Sequence, residues 1–154
     1  MTKVNFYQVK GDISAVIGLS CQLAEKAWQM NNHILIYSPD ESIAELMSEH
    51  LWSWSAASFL PHKNLSQAVD KDASETIQIV SGQSDTDNLD ELIGKHLGLL
   101  INLAADTPDW FSRFELLCEF VYGDETAVAH KRNRYKFYKA RGYPLNYHDM
   151  SDRF

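Results

Sequence analysis

The chain has 154 residues, 45% of them hydrophobic, with 14 Lys and Arg against 21 Asp and Glu for a formal net charge of −7. That length suits one domain with a real core and is too short for two ordinary ones. So acidic a chain makes a poor nonspecific DNA binder, because most of its surface repels phosphate, and any basic function has to be local.

Residues 4–9, "VNFYQV", alternate apolar and polar before a Lys-Gly-Asp turn and read as a first strand. Over residues 14–30, Val16, Ile17, Leu19, Leu23, Ala24, Ala27 and Trp28 recur at helical spacing. Residues 33–37, "HILIY", form a short apolar run typical of a strand buried on both faces. Ser38-Pro39-Asp40 then caps a second helix carrying Ile43, Leu46, Met47 and Leu51. Residues 63–75 are polar and read as a loop before a strand at 76–80, "TIQIV". Residues 97–104, "LGLLINLA", form the most apolar strand candidate. Phe111, Phe114, Leu117 and Cys118 point to a further helix, interrupted near Gly123, and a last helix spans about 124–141. This alternation predicts one α/β domain over residues 1–146, a three-layer α/β/α sandwich with a mostly parallel or mixed central sheet, followed by a C-terminal extension at 147–154.

Chemical motifs are sparse. Neither GxGxxG nor GxxxxGK[ST] occurs, so a dinucleotide or P-loop site is not expected. The six histidines form no HxxxH or HxH pair, and no metal or cofactor is expected. The acidic run of Asp85, Asp87, Asp90 and Glu91 reads as a solvated loop and helix start rather than a cation site. Cys21 and Cys118 sit among apolar neighbours without CxxC spacing, as buried thiols of a reducing cytosol do. No GxSxG appears, and nothing argues for a nucleophile. No apolar run approaches the roughly 18 residues that span a bilayer, and no leader segment opens the chain, so a soluble cytoplasmic protein without membrane contact is expected.

Two segments stand out. "KRNRYKFYKAR", residues 131–141, holds Lys131, Arg132, Arg134, Lys136, Lys139 and Arg141, and the rest of the chain therefore carries −13. On a helix, Val128, Arg132, Tyr135, Lys136 and Lys139 share one stripe. Arg offers a planar fork for a carboxylate and Tyr supplies apolar area, a combination that suits an acidic peptide ending in a hydrophobic residue, or a short nucleic-acid strand stacking on Tyr135 and Tyr138. A solvated face with its aromatics turned inward is the plainer alternative, although no acid interrupts the sequence between Asn133 and Tyr147. The second segment, "LWSWSAASFLPH", residues 51–62, gathers Trp52, Trp54, Phe59 and Leu60, either as a lid on the core or as an interface anchor.

"NFY" in the first strand, "LWSWSAASFLPH" and "RYKFYKARGYPLN", in this order and spacing, resemble the chi subunit family of bacterial DNA polymerase III holoenzyme over residues 4–146. The resemblance implies a noncatalytic clamp-loader accessory with two faces. One binds the psi subunit through the positions of Trp52 and Phe59. The other grips the acidic C-terminal tail of single-stranded DNA-binding protein, which ends in phenylalanine, at the positions of Val121, Arg132, Tyr135 and Lys136, with Lys139 nearby; contact with nucleic acid is then indirect. Where the family commonly has a pocket lysine this chain has Val128, which leaves Arg132, Lys136 and either Lys131 or Lys139 to supply the charge. A direct single-strand binder using the same helix is the alternative, distinguished by a steep salt dependence and indifference to a free peptide carboxylate. An enzyme on this scaffold rests on fold analogy alone.

Overall fold

The computed structural model describes residues 1–30, 32–53, 62–64, 77–81 and 98–150. Strands β1 (Lys3–Gln8), β2 (Ile34–Ser38), β3 (His62–Asn64), β4 (Ile77–Ser81), β5 (Leu99–Asn102), β6 (Leu116–Val121) and β7 (Leu145–Asp149) form one sheet in the order β3-β4-β2-β5-β6-β1-β7. Every pairing among them is parallel, so the sheet expected to be mostly parallel or mixed is wholly parallel among the described residues. Such a sheet needs cover on both faces, which is why its central strands are apolar throughout rather than alternating.

Helices α1 (Ile13–Gln29) and α2 (Glu41–Ser53) cover one face, packing Val16, Ile17, Leu19, Cys21, Ala24, Ala44, Met47 and Leu51 against Ile34, Ile36, Ile101 and Phe120. Asp12 caps α1 by accepting from the Ser14 amide at 2.9 Å, and Asp40 caps α2 by accepting from the Ile43 amide at 2.9 Å. Helix α3 (Glu125–Ala140) and a 3-10 turn (Asp109–Arg113) cover the other face, where Tyr138, Phe111 and Phe114 meet Val4, Phe6, Leu35, Leu117 and Val121. No described helix is long and apolar enough to cross a membrane.

Two expectations are corrected. Residues 111–118 are not a helix. After the 3-10 turn the backbone opens at Phe114 (φ −101°, ψ 152°) and enters β6. The spacing of Phe111, Phe114, Leu117 and Cys118 imitates a helical stripe, but "LLCEFV" has no polar side to turn to water, and a strand buried on both faces is the structure that uses it. Similarly, residues 62–64, overlapping the start of the expected loop, pair with β4 as an edge strand. At the C-terminal end, β7 runs through Asn146 to Asp149, so residues 147–149 belong to the sheet. The acidic run of residues 85–91, together with Trp54, Phe59 and Leu60, lies outside the described residues.

Candidate functional site

Helix α3 is set at both ends by glycine. Gly123, at φ +96°, turns the chain out of β6, and the Asp124 side chain then caps the helix by accepting from the Ala127 amide at 2.8 Å. At the other end Gly142, at φ +81°, closes a Schellman motif: its amide donates to the Lys139 carbonyl and the Tyr143 amide to the Tyr138 carbonyl, both at 3.1 Å. Tyr138 and Tyr143 complete the motif with a ring contact at 5.7 Å. These caps fix where α3 starts and stops, and its rotation about its axis is set by Lys131 and Tyr138, the residues it buries against the sheet.

That rotation divides the six cations of residues 131–141 three ways. Lys131 points inward. It is 5% exposed, and its Nζ donates to Glu119 Oε1 at 3.1 Å and to the Ala104 carbonyl at 2.9 Å. The basic surface foreseen in the sequence thus loses Lys131 to the interior, because seven residues before Tyr138 it falls on the same buried stripe. Arg134 and Arg141 lie over the Phe137 ring, at 4.1 and 4.6 Å from its centre, on the flank facing away from β7. Arg132, Lys136 and Lys139 remain exposed on the opposite flank.

On that flank Val128 and Tyr135 are half-buried. The Tyr135 ring meets Phe6 edge-on at 5.2 Å and Tyr147 of β7 at 6.0 Å. Arg132 also reaches Tyr147: burial raises that phenol's pKa and the guanidinium pulls it back down. Val128, Arg132 and Lys136 line an open groove of about 510 Å³ with Ala129, Asn133 and the acids Asp124 and Glu125 at its helix-start end. Lys139 lies further along the same flank, one turn beyond Tyr135. Val121, at 1% exposure, forms part of the apolar floor beneath α3 rather than its surface. The geometry therefore joins Arg132, Tyr135 and Lys136 into one surface, extends it with Lys139 and sets Val121 underneath. It offers an apolar step beside two or three cations, and chemically such a surface receives an anion attached to a hydrophobic group.

Tyr138, proposed from sequence as a stacking platform, is fully buried, and desolvation together with the nearby Glu119 raises its pKa. Trp52 lies at the last turn of α2, on the other side of the sheet, and is 58% exposed. Its expected companion Phe59 is not among the described residues. Burial pushes both cysteine thiols up to about 12, which leaves neither as a nucleophile at neutral pH. Among the described residues no three His, Cys, Asp or Glu side chains gather as a metal site.

Sequence reading missed the polar centre under α3. Glu119, wholly buried on β6, takes Lys131 and Asn102 Nδ2 on Oε1, while Thr107 Oγ1 donates to Oε2 at 2.7 Å. The Tyr138 hydroxyl lies 3.3 Å from Oε2 and 3.0 Å from Thr107 Oγ1. A glutamate inside "LLCEFV" was the available signal, since a charge on a doubly buried strand needs a partner.

The family model described as DNA polymerase III chi subunit, HolC, matches residues 1–146. The chain belongs to the DNA polymerase III chi subunit family. Among curated relatives, the DNA polymerase III subunit chi of Pseudomonas aeruginosa is 31% identical over 151 residues, covering 97% of this chain and 98% of the relative. That of Escherichia coli (strain K12) is 28% identical over 151 residues, with 95% and 97% covered. The Haemophilus influenzae subunit chi is 27% identical over 128 residues, 83% of each. The chi family match runs from β1 through the whole of α3 into β7, so the basic flank lies inside the family's extent.

Proposed function

We propose that this chi-family chain is a noncatalytic cytoplasmic accessory of DNA replication, tying the clamp loader, through the psi subunit, to single-stranded DNA-binding protein. In this reading Arg132 pairs with the terminal carboxylate of that protein's acidic tail. Val128 and Tyr135 receive the terminal phenyl ring, and Lys136 and Lys139 draw the acids upstream. The observation that carries it is the joining of exposed Arg132 and Lys136 to half-buried Val128 and Tyr135 on one flank of α3. Lys139, rather than the buried Lys131, is the cation that compensates for Val128. Trp52, exposed across the sheet, is the corresponding anchor for psi. A direct single-strand binder has less support, because the buried Tyr138 cannot stack on a base.

The test is a pair of substitutions. Arg132→Ala should weaken binding of the acidic tail by about tenfold in calorimetry, as expected when a charge-assisted hydrogen bond is lost, and should leave psi binding intact. Trp52→Ala should impair co-purification with psi and spare the tail. Equal tail affinity for wild type and Arg132→Ala would reject the pocket, and the reverse pattern would exchange the two faces.

A further inference from the structure

Strand β7 is an outer strand of a parallel sheet, paired on one side with β1. The ladder fixes which backbone groups face outward. The Val4 amide donates to the Pro144 carbonyl and the Met150 amide to the Gln8 carbonyl, so by the alternation of a parallel ladder residues 144, 146, 148 and 150 turn their backbone groups toward β1. Leu145 and Tyr147 turn theirs outward. Neither makes a backbone hydrogen bond on that side among the described residues. Exposed edges of this kind are templates for another strand, and proteins that avoid pairing protect them with charged side chains, proline or a bulge; in β7, "LNYHD", the one residue of that kind is Asp149 at the far end, which leaves Leu145 and Tyr147 without such protection.

The occupant is indicated by charge. Tyr135, on the Arg132 flank of α3, meets Tyr147 at mid-strand with ring centres 6.0 Å apart, and the Arg132 guanidinium lies near enough to pull the Tyr147 pKa down. Because α3 runs antiparallel to β7, Lys136 and Lys139 lie toward the Leu145 end, whereas Asp149 and the acids Asp124 and Glu125 lie toward the other. We infer that an acidic peptide whose carboxyl end is held at Arg132 continues along the outer edge of β7 as an eighth, parallel strand, hydrogen-bonded to the backbone of Leu145 and Tyr147. The direction follows from the charges: upstream acids run toward the lysines and away from Asp149. Recognition would then combine main-chain hydrogen bonds, which are indifferent to side chain, with one specific carboxylate clasp. The inference rests on the tail-binding reading above and adds to it where the rest of the peptide lies.

Backbone amide hydrogen exchange by NMR tests it, using the full chain with a ten-residue acidic peptide ending in phenylalanine and with its last four residues alone. The longer peptide should slow exchange at Leu145 and Tyr147 by about tenfold or more at saturation, while Asn146 and His148, already bonded to β1, change little. The four-residue peptide should bind with the same dependence on Arg132 and give less protection. If the longer peptide binds in an Arg132-dependent way and leaves the Leu145 and Tyr147 amides unprotected, the edge proposal is overturned and the pocket stands. Binding that ignores Arg132→Ala, or no binding at all, overturns both.

Discussion

A carboxylate inside an α/β domain has to be answered where it sits, and Glu119 is answered by Lys131, Asn102, Thr107 and Tyr138 together. Asn102 ends β5, Thr107 lies in the loop after it, and Lys131 and Tyr138 both come from α3, so the ion pair also fixes how α3 sits on the sheet. Removing one partner of a buried pair strands the other charge, at a cost of roughly 3–5 kcal/mol. Lys131→Ala should therefore lower the unfolding free energy by about that much in urea titrations. Combining Lys131→Met with Glu119→Leu should recover most of it, since the uncompensated charge is gone. A single substitution costing under about 1 kcal/mol would mean that the pair is hydrated. The basic character of the segment was legible in the sequence; the inward turn of Lys131 required the phase of α3, which the buried Tyr138 and the acid in β6 set jointly.

At the scale of elements, β1, β2, β4, β5 and the three helices follow their sequence signals closely, because each couples an unambiguous period to a cap or turn residue. Segment 109–121 does not. Its phenylalanines are spaced like a helix face yet belong to a 3-10 turn and a strand, a choice that tertiary cover makes and local spacing cannot. Strand β7 was illegible for the opposite reason: only Leu145 is half-buried, the other four residues are exposed, and its pairing with β1 is nonlocal. The turn that delivers it is local. Gly142 occupies a backbone conformation that costs an L side chain roughly 1–2 kcal/mol, and no neighbouring atom lies within 4 Å of where a Cβ would stand. Gly142→Ala should lower the thermal midpoint by an amount corresponding to about that energy, through backbone strain alone, with tail affinity falling only if β7 shifts beside Arg132. An unchanged midpoint would contradict the positive φ.

For the whole molecule, the sheet separates two apolar layers, and the two candidate surfaces sit on opposite sides of it: the α3 flank with Arg132, and the end of α2 with Trp52. The chain's net charge of −7 makes this polarity useful, since the α3 flank gathers three exposed cations where an acidic partner finds attraction. Exposed charges of this kind are screened over about 10 Å at 0.1 M salt. Tail association should accordingly slow as salt rises from about 50 to about 300 mM, with the off-rate changing less; an on-rate independent of salt in stopped-flow measurements would remove the steering role of Lys136 and Lys139. The family, and the placement of the basic segment on a helix of its own, could be read from the chain because that segment carries its own local signals. The division of the cations could not, because it depends on how α3 is rotated against strands distant in sequence.

The role proposed for the α3 flank is to read a carboxylate at the end of an acidic chain. It is tested most directly by titrating the purified protein, in low and moderate salt, with a fluorescent acidic peptide ending in phenylalanine, with the same peptide carrying an amidated C-terminus, and with a single-stranded oligonucleotide. Binding of the free-acid peptide that weakens by about tenfold or more on amidation, with little binding of the oligonucleotide, is the predicted result. Equal affinity for acid and amide, or binding of the oligonucleotide alone, would contradict it.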